Sequence, residues 1–336
     1  MTYEKTQISP LASNRPKGFT TQVKNNVNKR NILTKLSSKW LVAGSAEATT
    51  GIHIVQGPGL YCGDPIENSW TQVGNNQSTG FCLHRIQNGV IMGANHGMYS
   101  LSYENFKWKQ LHDETLTEVL TATSYTTTTD LRLLAGSPYG VASSYIDRLN
   151  VTRWVFHSDK LNPNERFTNT LLVDSNDQSR WIAGTEAGII MYLGFGKHNK
   201  HANLCGIPVR ALHQDHKGFW AGCDRGGIYH SCDGLKWNDF GERIETPIYN
   251  ITSFDDEIVA ATGRGILQRM TKKNSNMLGP QMLFADVAID PRNSNQWLAA
   301  ASPGGLWFSS NKGKRWRQII PFKNARSILP PEKLTP

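Results

Sequence analysis

Along residues 287–319 short apolar runs alternate with tight polar breaks. The first run ends at Asp290, and Pro291-Arg292-Asn293 interrupts it. Residues 296–301 form a second run, and Ser302-Pro303-Gly304-Gly305 a second break. Residues 306–309 form a third, and Asn311-Lys312-Gly313 leads into a fourth at residues 315–319. Runs this short cannot be helices, and Gly and Pro at the breaks supply turn geometry, so the pattern predicts four antiparallel strands joined by turns.

The same pattern recurs upstream: apolar residues, a small residue, a turn, then glycine and more apolar residues. Its small-residue markers are Gly44, Gly93, Gly136, Gly184, Gly222, Ala261 and Ala300, at intervals of 49, 43, 48, 38, 39 and 39. The first copy reads Trp40-Leu41-Val42-Ala43-Gly44 and resumes at Gly51-Ile52-His53-Ile54. Several copies end on an aromatic: Trp70, Trp108, Trp154, Trp237 and Trp316. A four-stranded unit cannot bury both of its faces alone, so repeated units must stack around an axis. The expectation is an all-β chain forming one seven-bladed β-propeller over residues 37–320, with six or eight blades as the neighbouring solutions because the first copy is degenerate. Small residues let inner strands crowd toward the channel, and late aromatics fill the wider wedge outside.

Residues 1–36 hold few large apolar side chains and read as a flexible basic arm. Residues 321–336 are proline-rich and read as an extended tail. Charge sharpens this division. The chain carries +9 overall, but residues 1–40 have eight basic groups against Glu4 alone, and residues 311–336 have seven against Glu332. The 270 residues between are slightly acidic. Lys24, Lys29, Arg30 and Lys35 with Lys312, Lys314, Arg315 and Arg317 therefore form a candidate basic patch. It would suit an acidic protein surface, a nucleic acid or an anionic membrane, within a larger complex; the plainer alternative is a pair of solubilising tails. No apolar run approaches the roughly 18 residues of a membrane-spanning helix. The N-terminal residues lack the apolar core of a secretory signal, and a basic, hydroxyl-rich leader for an organelle is the other reading. Five cysteines, odd in number and without a CxxC pair, fit a reducing, cytosol-like compartment.

Two segments carry a family resemblance. Ser309-Ser310-Asn311-Lys312-Gly313-Lys314-Arg315-Trp316 resembles the Asp-box, or BNR repeat, S-x-D-x-G-x-x-W, with Asn in place of Asp. Ser231-Cys232-Asp233-Gly234-Leu235-Lys236-Trp237 resembles it one residue shorter, and Ser102 to Trp108 is a weaker echo. Similar repeats occur in sialidases, sortilin-type receptors, xyloglucan-cleaving glycosidases and photosystem II assembly propellers. The resemblance implies a propeller in which the acidic side chain braces its own turn; it does not select among these functions.

Ligands of propellers often sit where the channel opens, on the face built by second-to-third-strand turns. Those turns carry Glu47, His96, Tyr139, Glu186, Asp224 with Arg225, and Arg264. Aligning the first strands places Thr170, Arg210, Asn250 and Asp286 at one channel-facing register. The functional expectation is a polar binding site, with Asp224, Asp286, Glu186 and Arg210 as catalytic candidates should two-carboxylate glycosidase or lyase chemistry operate. The plainer reading is that such turns are polar because they face water. Arg210, Arg225 and Arg264 imitate the arginine triad of sialidases, but the Arg-Ile-Pro start of that family is absent. His198, His201, Cys205, His213 and His216 have neither the helical spacing nor the CxxC of a metal site, so no metal and no cofactor are expected. A non-catalytic scaffold is the leading reading, a propeller enzyme the alternative.

Overall fold

The computed structural model describes residues 36–47, 57–75, 77–127, 130–146, 152–194 and 199–333. These form seven four-stranded antiparallel sheets. Each sheet is one blade of a seven-bladed β-propeller, and seven rather than six or eight is the observed number. The inner strands of blades two to seven are Gly80–Ile86, Thr121–Thr126, Thr168–Asp174, Val209–Asp215, Ile248–Phe254 and Asp286–Ile289. Within each of these blades the strands follow one another outward in chain order. The only helix among the described residues is a single turn, Pro163–Arg166, closed by a capping box between Asn162 and Glu165. No helix among them is long and apolar enough to cross a membrane.

Blade one departs from the sequence reading. Its inner strand is Phe322–Leu329, paired with Trp40–Ala46, which pairs in turn with Gly57–Asp64 and that with Ser69–Gly74. The propeller thus does not end at residue 320: the first half of the expected tail holds the strand that closes the ring. Its hydrogen-bond partners lie at the other end of the sequence, so the two ends of the described chain are joined within one sheet. The third strand of blade one starts at Gly57; Gly51 lies outside the described residues.

The core is seven separate clusters, one between each pair of neighbouring blades. Trp181 of blade four packs on Tyr125, Leu134 and Val141 of blade three, and Trp297 of blade seven on Val259 and Ile266 of blade six. Each such side chain contributes about 1.5–3 kcal/mol by leaving water. The outer tryptophans reach back one blade. Trp108 donates from Nε1 to the Val73 carbonyl of blade one at 3.0 Å, and Trp154 to Leu111 O at 2.9 Å. The marker glycines are small for a specific reason. A Cβ on Gly222 would stand 2.4 Å from Ile248 Cγ2, and one on Gly184 2.8 Å from Val209 Cγ1, both on the next inner strand. Gly188 adds a conformational demand: its φ of +125° follows the turn into the third strand, a region that L side chains rarely adopt.

The two Asp-box-like turns are built alike. Ser231 Oγ accepts from Gly234 N at 2.8 Å, Asp233 Oδ1 from Leu235 N and Lys236 N at 2.8 Å, and Trp237 Nε1 donates to Gly234 O at 2.9 Å. In blade seven Ser309 Oγ accepts from Gly313 N at 2.9 Å, Asn311 Oδ1 from Arg315 N at 2.8 Å, and Trp316 Nε1 donates to Gly313 O at 2.7 Å. In both turns the side chain braces its own backbone, through a carboxylate in blade five and an amide oxygen in blade seven.

Candidate functional site

Every inner strand carries the same irregularity where it passes the channel mouth. In blade five Val209 opposes Cys223 and Ala211 opposes Gly222, so Arg210 is an extra residue between them. Phe81, Asn169, Tyr249 and Arg326 are the extra residues of blades two, four, six and one. In blades three and seven Leu120 N and Ala285 N bond the carbonyls of Gly136 and Ala300, the residues that the following Thr121 and Asp286 already oppose. A bulge re-aims its extra side chain out of the sheet's alternation. These bulge side chains ring the channel mouth and line a cavity of about 580 Å³. Below it the channel narrows past Thr170, Asn250 and Asp286.

This geometry revises the expected register. Thr170, Asn250 and Asp286 are equivalent, but the fifth-blade residue at that level is Ala211; Arg210 belongs one level up, with Asn169 and Tyr249. A one-residue insertion in an otherwise alternating strand shifts every side chain after it to the other face, and sequence alignment alone does not reveal it.

At the mouth Arg210 organises a polar cluster. Its Nε and one terminal nitrogen donate to the two Asp224 oxygens at 2.7 and 2.8 Å, and its other terminal nitrogen donates to Glu186 Oε1 at 2.5 Å and Asn169 Oδ1 at 2.9 Å. Asn169 Nδ2 closes the loop by donating to Glu186 Oε1 at 3.2 Å. Blades four and five are tied together in this way. The fork on Asp224 and the second carboxylate hold the guanidinium firmly in its charged form, against the opposing effect of partial burial. Arg210, Glu186 and Asp224 are therefore brought together as the sequence suggested, but as one compensated ion network.

Asp286 sits apart from that network. Its Oδ2 accepts from Ile328 N of the closing strand at 2.7 Å, and Ser327 Oγ, which also bonds the carboxyl, accepts from Leu83 N of blade two at 3.0 Å. Burial pushes its carboxyl up to about 7, partly offset by these hydrogen bonds. This residue latches blade seven to blades one and two.

The remaining candidates scatter. His96 is exposed and lines a separate cavity with His112 and Lys109. Tyr139, Arg225 and Arg264 are exposed on mouth-face turns, and Glu47 pairs with Lys323 at 3.4 Å. Asn250 lies in the channel wall, where its Oδ1 is buried without a hydrogen-bond partner. Histidines flagged for metal are dispersed: His201 faces Glu165 at 3.6 Å, His213 bonds Ser253 at 2.9 Å, His216 pairs with Asp256 at 3.0 Å, and His198 lies outside the described residues. No group of three or more His, Cys, Asp or Glu with metal-binding geometry occurs among the described residues.

The basic residues of blade seven are on the opposite face. Successive strands reverse direction, so the turn between Gly305–Ser309 and Arg317–Ile319 is at the far end from the turn at Ser302-Pro303 that borders the mouth. Lys314 and Arg315 are exposed there with no ion pair among the described residues. Lys312 lies 5.0 Å over the Phe254 ring and 3.7 Å from Asp255, and Arg317 lies 5.2 Å over Phe308 and bonds Pro65 O. Both described ends of the chain reach the same face: Glu332 N donates to Ser37 O at 2.7 Å, and Arg292 of blade seven donates to Ser38 O at 2.8 Å. Lys24, Lys29, Arg30 and Lys35 lie outside the described residues.

Comparison with known proteins agrees on architecture. No family model matches the sequence, and no curated protein does. Among solved structures, the chain is similar to a 6-phosphogluconolactonase candidate from Bacteroides fragilis, at 11% identity and TM-score 0.60 over 88% of this chain and 98% of that one. It is also similar to the extracellular domain of a hybrid two-component system from B. thetaiotaomicron, at 14% identity and TM-score 0.59 over 80% of this chain but only 37% of that domain. The chain thus spans little more than a third of that structure's length. YCF48 bound to D1 peptide matches at 15% identity and TM-score 0.55 over 73% of this chain and 83% of that one. At these identities the likeness establishes the propeller fold.

Proposed function

We propose that this chain is a non-catalytic, Asp-box-type interaction propeller that docks an acidic protein surface through the face where its two ends meet. The observation that carries the reading is spatial. Ser37 and Glu332 are hydrogen-bonded to each other on the face that exposes Lys314 and Arg315, and the sequence that precedes Ser37 is rich in basic residues. Charges pooled in this way steer an acidic partner and make binding salt-sensitive. Two further points support the reading. Glu186 and Asp224 are committed to Arg210 and Asp286 to the closing strand, an arrangement suited to rigidity rather than to acid–base work. One solved propeller of similar fold, YCF48, holds a peptide.

The test is a salt titration of binding to polyglutamate and to a short DNA duplex, with the full chain, a chain starting at residue 37 and Lys314→Glu/Arg315→Glu. The expected result is polyglutamate binding that weakens as salt rises and falls about tenfold or more in both variants. Tighter binding to the duplex, with the steep salt slope of counterion release, would replace the acidic protein by a nucleic acid. Unchanged binding in both variants would overturn the proposal.

A further inference from the structure

The mouth ring on the opposite face carries groups that no structural role uses. Arg326 is exposed, has no ion pair among the described residues, and lies 5.1 Å over the Phe81 ring. Next to Phe81 the bulge side chain is Leu120, and across the opening stand Tyr249 and Leu283. Charge and apolar surface thus adjoin within one cavity of about 580 Å³. Tyr249 is followed in the chain by Asn250, whose buried Oδ1 faces the channel unpaired. A buried acceptor without a donor costs about 1–3 kcal/mol, so an occupant that donates there gains accordingly. Glu118, also at the mouth, repels a carboxylate from its own side and favours the Arg326 side. Arg210 adds no attraction, because Asp224 and Glu186 already neutralise it.

The geometry points to a second binding site at the channel mouth, for an extended peptide segment that carries an acidic residue beside a bulky apolar one. Arg326 takes the carboxylate and is held in place by stacking on Phe81. The apolar side chain rests among Leu120, Leu283 and Tyr249, and a donor of the segment reaches Asn250 Oδ1. A small sugar or a bare phosphate would leave the Leu120 and Leu283 surface uncovered. Because the scaffold bonds of the bulges come from the backbone, the ring's side chains are the part of the fold that sets specificity. This inference does not rest on the basic face and stands or falls separately from it.

The experiment is selection of a displayed random-peptide library on the full-length protein, followed by titration of labelled hit peptides. Hits are expected to pair Asp or Glu with Phe, Leu, Tyr or Trp. Arg326→Glu is expected to weaken them about tenfold or more, Tyr249→Ala to weaken them as well, and Lys314→Glu/Arg315→Glu to leave them unchanged. Arg326→Gln keeps the stacking stem without the charge and should fall between wild type and Arg326→Glu. Absence of such hits, hits that bind Arg326→Glu as tightly as wild type, or hits lost only in Lys314→Glu/Arg315→Glu would each overturn the mouth site.

Discussion

Blade seven and blade one use the same four-stranded plan, yet their chains are connected in opposite ways. Blade seven is continuous from Asp286 to Ile319, each strand joined to the next by a short turn. Blade one is assembled from both ends, with Phe322–Leu329 beside Trp40–Ala46. The first can form from local hairpins; the second requires closure of nearly the whole chain before its inner strand has a partner. Blade seven therefore supplies local order, and blade one makes the ring cooperative.

The largest test of that difference is truncation. A chain ending at Pro321 loses the inner strand of blade one and exposes Trp40, Val42 and Tyr61, which that strand helps to cover. Loss of a single sharp thermal transition is expected, read by circular dichroism; an unchanged melting temperature would mean that blade one does not close the ring energetically. A point substitution sharpens the contrast. A Cβ on Gly44 would lie 2.5 Å from Asn324 O of the closing strand, whereas the residue at the equivalent register of blade seven is already Ala301. Gly44→Ala should cost about 1–3 kcal/mol in denaturant unfolding, and Ala301→Gly about 1 kcal/mol. Equal effects would erase the distinction between the two seams.

The latch between the two blades has a pH signature. The Asp286 carboxyl titrates near 7 when folded, above the ordinary carboxylate value that it regains on unfolding. The folded state therefore holds a proton that the unfolded state releases, and this contribution to stability is full at acid pH and lost as pH rises through about 7. The melting temperature of wild type relative to Asp286→Asn should fall between about pH 4 and 8; a difference independent of pH would refute the assignment. The smallest effect concerns the blade-seven turn. Asn311→Asp restores the carboxylate that Asp233 already uses in blade five, where two backbone N–H groups hold its carboxyl below the usual range. A gain of about 0.5–1 kcal/mol at neutral pH is expected, because a charged acceptor strengthens the bond from Arg315 N. A loss of stability would mean that the two turns differ in more than their acceptor.

The same contrast explains what could be read in advance. Blade seven was legible because its strands, turns and Trp316 lie within one short stretch. Phe322–Leu329 was not: Arg326 interrupts its alternation, and its partners lie about 280 residues away in sequence. At the mouth, Glu186 and Asp224 were legible because a turn preceding a glycine marks a face, and Arg210 because it begins an inner strand, although one level away from the register expected. Phe81, Leu120, Tyr249 and Arg326 were missed, since a bulge hides which residue leaves the sheet. The faint available signal was their shared position just ahead of the channel-facing residue of each inner strand. Asp286 was placed in the right strand and given the wrong weight, because sequence does not reveal a hydrogen bond to Ile328.

The pairing of Trp40–Ala46 with Phe322–Leu329 also fixes how the molecule bears tension. Leu41 opposes Leu329, and both neighbouring chain segments, toward Ser37 and toward Glu332, leave from that end of the pair. Pulling on the two segments would peel the strands apart one hydrogen bond at a time, as a zipper opens, instead of loading all the bonds in shear. A protein tethered at both ends would open first at this seam, while the remaining blades kept their shape.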